Sequence, residues 1–119
     1  MYQRLYEEIA EEASDRIRED ERRAFRHCIG LMTAAQKAGV GSRESVEAIF
    51  FLTRLWSVLM EDLAHPENAL PVELKARLIS IGIWMLKNAE NIRMGQGKDF
   101  RPLIDVSESI YDGLKGRKC

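Results

Sequence analysis

The residues with the most evident capacity for chemistry are His27 and Cys28, an imidazole base beside a thiol. Nucleophilic catalysis requires the base within hydrogen-bond reach of the thiol. Consecutive side chains on a helix point about 100° apart, so this pair cannot meet if the segment is helical. Cys28 also falls on an apolar stripe and reads as a small buried hydrophobe, with His27 at the edge of the core. The other histidine, His65, precedes Pro66 and is placed to serve a helix end. No HExxH, paired metal carboxylates, glycine-rich phosphate loop or GxSxG occurs, and Cys28 and Cys119 show no CxxC spacing. The expectation is a protein that is not an enzyme, holds no metal or cofactor, and works in a reducing, cytoplasmic setting.

A second cluster with chemical potential is Asp15-Arg16-Ile17-Arg18-Glu19-Asp20-Glu21-Arg22-Arg23-Ala24-Phe25-Arg26, which sets Arg18, Arg22 and Arg26 on one helical row. Such a row can track a phosphate backbone. Acids are interleaved with it, Glu19 is spaced to pair with Arg23, and no aromatic residue alternates with the arginines to stack bases. A solvated helix face is the plainer reading. The whole chain carries 18 Lys+Arg against 19 Asp+Glu, a formal charge of −1, which supplies no long-range field to gather nucleic acid or anionic lipid. Direct RNA binding through Arg18, Arg22 and Arg26 therefore stands as the alternative, and a membrane partner is not expected.

The third feature is an excess of large apolar side chains, Phe50, Phe51, Trp56, Met60, Trp84 and Met85. A small bundle buries one stripe per helix, so some of these are candidates for an exposed groove able to accept an amphipathic helix.

The elements that must position these residues follow from the breakers. Glycines cluster at 39–41, 95–97 and 113–116, and the prolines are Pro66, Pro71 and Pro102. Between them apolar residues recur at threes and fours, with one interval of seven in the first segment. Leu5, Ile9, Ala13, Ile17, Ala24, Cys28, Leu31 and Ala35 predict helix over about 2–38, with Ser14-Asp15 a capping pair that favours a break near residue 14. Ser42 caps a second helix over about 43–64, whose stripe is read as Val46, Ile49, Phe50, Thr53, Trp56, Met60 and Leu63. Pro71 is read as the first position of a third helix ending at Gly95, and a fourth spans about 101–114. With no alternating strand pattern, the fold class is all-α: a single domain over residues 1–119 forming a small antiparallel bundle of four to five helices. Residues 1–14 are expected as an N-terminal helix or arm and 115–119 as a flexible basic tail. No export signal or membrane-spanning run is visible in the N-terminal stretch or in VEAIFFL and LISIGIWML.

Ser42 to Phe51, Arg54-Leu55-Trp56, Glu61 to Ala64 and Pro66 to Pro71 resemble the bacterial flagellar biosynthesis regulator FlaF family. Glu73 to Trp84, with its LISIGIW run, Asp99-Phe100 and Leu103 to Val106 continue the likeness in order and spacing, over roughly Asp15 to Leu114. Thr53 stands where the family is expected to carry asparagine. The resemblance implies a small helical protein of flagellum assembly that binds flagellin as a cytoplasmic chaperone and influences its synthesis or secretion. It also implies a functional relationship with an FlbT-type regulator acting on flagellin messenger RNA. The expected partner is a terminal helical segment of flagellin, taken in a groove between the second and third helices, with Phe51, Leu55, Ile83 and Trp84 as the contact residues.

Overall fold

The computed structural model describes residues 2–96 and 99–116, with side chains for 19–96 and 99–113. Within them the chain forms four helices: α1 (Tyr2–Ala38), α2 (Arg43–Ala64), α3 (Val72–Arg93) and α4 (Arg101–Gly116). The described residues contain no strand.

The expected break near Ser14-Asp15 does not occur, and α1 is one helix of 37 residues. A Ser-Asp pair caps only where the backbone has already opened. From Tyr2 to Arg26 there is neither glycine nor proline to open it, and Glu, Ala and Arg dominate, all good helix formers. The described residues therefore form four helices. At the other end α4 continues through Gly113 to Gly116, beyond the expected stop at 114. Cys119 and the last residues of the expected tail lie outside the described residues.

The other boundaries follow local chemistry. Gly39 and Gly41 adopt φ of 100° and 89°, a region closed to most L side chains, and so turn the chain between α1 and α2 within a few residues. Ser42 caps α2, its hydroxyl accepting from the Ser45 amide at 3.1 Å. His65 closes α2 in extended geometry before Pro66, and its Nδ1 accepts from the Glu67 amide at 3.2 Å, so the ring serves the turn and not the terminal carbonyls. Pro71 stands one position earlier than expected, as the N-cap of α3.

The helices pack as α1 with α2, α1 with α4, and α2 with α3. The molecule measures 58 × 24 × 20 Å, its long dimension close to the ~55 Å that a 37-residue helix spans. All four helices feed one core: Phe25, Cys28 and Met32 from α1, Leu52 and Trp56 from α2, Met85, Ala89 and Ile92 from α3, and Leu103 and Ile104 from α4 beside Phe100. Phe25 meets Trp56 edge to face at 5.7 Å between ring centroids.

The buried face of α2 is Ser45, Ala48, Ile49, Leu52, Trp56 and Leu63. Val46, Phe50 and Thr53, read from the sequence as part of the core stripe, are exposed. Both sets repeat with helical period, and a helix apolar around most of its circumference does not reveal which arc its neighbours cover.

Candidate functional site

The turn after α1, the first half of α2 and the end of α3 enclose a groove of about 480 Å³. The local sequence makes each of its edges. The Gly39–Gly41 turn brings Val40 and Gly41 to one end, and the Ser42 cap starts α2 directly behind them. On the opposite side α3 stops at Gly95, whose amide donates to the Ile92 carbonyl at 3.1 Å while the Gln96 amide donates to the Asn91 carbonyl at 2.8 Å. Ile49 and Ile92 form a buried floor, and Val46 and Phe50 stand along the wall, 64% and 65% exposed. These exposed side chains give the concave surface an apolar lining, which makes it the candidate for contact with an apolar partner.

The rim is polar. Arg93 donates through Nε to Glu90 Oε2 at 2.9 Å and through a terminal nitrogen to Oε1, a two-pronged pair. The hydrogen bond from Arg93 lowers the Glu90 pKa, and the same bond raises that of Arg93, so each favours the charged form of the other. Thr53 and Arg54 close the far end of the groove. Arg54 has no ion-pair or hydrogen-bond partner among the described residues.

The remaining expected residues are dispersed. Phe51 and Leu55 are half-buried against the core, and the edge of Phe51 meets His27 at 4.6 Å on the α1 side of α2. Ile83 and Trp84 on α3 are 56% and 38% exposed. None of the four lines the groove bounded by Val46, Phe50 and Ile92. Phe50 and Val46 were both legible in the sequence as apolar residues of the α2 stripe, read there as core, but their placement beside Ile92 of α3 carried no local signal.

Among the arginines, Arg22 is half-buried and pairs with Glu19 at 3.6 Å, one residue before the Arg23 read from spacing as the partner of Glu19. Arg26 is exposed, and with Arg23, His27 and Gly30 it borders an open depression on α1. The Arg18 side chain lies outside those described. Cys28 is fully buried, and burial pushes its thiol pKa up to about 12. His27 is exposed. The two do not form a nucleophile and base. Among the described residues no cluster of His, Cys, Asp and Glu is arranged to hold a metal, and no helix is long and apolar enough to cross a membrane.

The candidate site is thus an apolar trough with an ion pair on one rim and the Arg54 guanidinium at one end. Among curated proteins and among solved structures no match is found. The sequence model of the family described as flagellar protein FlaF matches residues 2–114, nearly the whole chain and all four helices. This chain therefore belongs to the FlaF family of flagellar proteins.

Proposed function

We propose that the chain is a cytoplasmic flagellin-binding chaperone, without enzymatic activity, that couples flagellin synthesis to secretion. In this reading a terminal amphipathic helix of flagellin lies in the groove between α2 and α3, which the short turns return along each other as antiparallel neighbours in the bundle. The observation that carries the reading is the exposure of Val46 and Phe50 over the buried Ile49 and Ile92, in a chain of a flagellar family. Flagellin's terminal segments are unfolded before export and form amphipathic helices in the filament, so an apolar trough shields the face that polymerises. Ordering such a segment on binding consumes part of the interaction free energy, which keeps the complex reversible.

The test is a calorimetric titration with purified flagellin and with flagellin lacking its C-terminal helix, at low and high salt. Salt-insensitive binding that needs the terminal helix and shows a negative heat-capacity change is the expected result. Absence of binding to either form would sink it.

The second reading is control of flagellin messenger RNA, directly or through an FlbT-type partner. It is favoured by Arg23, Arg26 and His27 gathered on one exposed stretch of α1. It requires affinity for the leader RNA that falls steeply with salt and weakens in Arg26→Ala.

A further inference from the structure

One charge at the groove between α2 and α3 is neutralised by nothing in the described chain. Arg54 is exposed at the end of the wall formed by Val46 and Phe50. The only carboxylate lining the groove, Glu90, is already held on both oxygens by Arg93. From Val46 to Arg54 the wall runs about 12 Å along α2, a little over two helical turns. An amphipathic helix laid in it would seat apolar residues spaced three and four apart over Ile49 and Ile92. The residue at the edge of that helix, beside the wall's end, meets a guanidinium whose planar fork matches a carboxylate.

We propose that the groove selects an amphipathic helix of about two to three turns that carries an Asp or Glu on the edge reaching Arg54. The identity of the protein bearing that helix rests on the flagellin reading above; the acid-bearing edge is the new element. A second copy of this chain fits less well. Two such grooves face to face would bring no free carboxylate to either Arg54, because Glu90 is engaged by its own Arg93.

The test titrates the full chain, Phe50→Glu and Arg54→Glu with purified monomeric flagellin and with three synthetic amphipathic helices that differ only in Glu, Gln or Lys at the edge position. Both substituted side chains are exposed, and circular dichroism confirms that the variants stay folded. The wild type should bind the Glu peptide about fivefold more tightly than the Lys peptide at low salt, the order reversing in Arg54→Glu. Phe50→Glu should weaken every peptide by at least about tenfold. Flagellin bound undiminished by both variants would overturn the inference and move flagellin binding to another surface of the chain. Flagellin left unbound while the peptides show the reversal would remove the flagellin reading and uphold the groove's acid preference. Equal affinity for the three peptides would overturn the inference. So would self-association of the wild type in sedimentation that Phe50→Glu abolishes, since the occupant would then be a second copy.

Discussion

Gly82 on α3 presses against the indole of Trp56 on α2: a Cβ at Gly82 would stand 2.9 Å from ring carbon Cε3 and 2.7 Å from Sδ of Met60. Glycine in the middle of a helix forgoes about 1 kcal/mol relative to alanine. Here the missing side chain is what lets α2 and α3 approach.

Gly82→Ala sets that propensity gain against overpacking, which costs about 1–3 kcal/mol in a filled site. The Met60 thioether can swing away, but the Trp56 ring, 1% exposed and held by Phe25, cannot. The expected outcome is a net loss of about 1 kcal/mol by urea unfolding. A stabilised Gly82→Ala would show that the crossing is loose.

The Gln36 side chain ties α1 to the start of α4. Its amide nitrogen donates to Asp99 Oδ1, and its Oε1 accepts from the Phe100 amide at 2.7 Å. Asp99 Oδ1 also accepts from the Arg101 amide at 2.9 Å. Gln36→Ala leaves the Phe100 amide, above a buried ring, without its partner, and should destabilise by about 1–2 kcal/mol. Hydrogen exchange should quicken first in α4; unchanged exchange there would contradict the tie.

Cys28 makes stability depend on alkali. Its pKa is raised from 9.0 to about 12 by burial. Below pH 9 the thiol is protonated in both the folded and unfolded chain. Above it the unfolded chain releases a proton that the folded chain retains, so stability falls as pH rises toward 12, by up to about 1.4 kcal/mol per pH unit. The difference in unfolding free energy between wild type and Cys28→Ala, followed across that window, isolates this group. A difference independent of pH would refute it. Below the window, in a Cys119→Ser background, thiol reagents should label Cys28 only as fast as the chain opens.

Phe50 and Trp56 separate binding from folding. Phe50→Ala removes an exposed ring and should change stability by no more than about 0.5 kcal/mol while weakening flagellin binding. Trp56→Ala empties the centre of the core and should cost about 3–5 kcal/mol. Circular dichroism melts beside calorimetry distinguish the two. Flagellin affinity unaltered by Phe50→Ala would remove Phe50 from the binding surface.

Short-range order was legible from residue order alone because its causes lie a few residues apart. The Ser42 cap, the Gly39–Gly41 turn, the stop at His65-Pro66 and the span Arg43–Ala64 each follow from a side chain or φ requirement acting on its own neighbourhood. The burial of Cys28 followed from its place on the α1 stripe. The family pattern was equally a matter of order and spacing. What residue order left open depends on which surfaces meet. α2 is apolar around most of its circumference, and the packing of α1 through Phe25 and of α3 at Gly82 buries the Trp56 side and leaves Val46 and Phe50 outside. The Gln36 tie joins residues 63 and 64 positions apart. Arg54 of α2 and the Glu90–Arg93 pair of α3 line one groove only because the two helices pack side by side. Periodicity records that a face is apolar; whether a neighbouring helix or an incoming partner covers it is decided by how the helices cross.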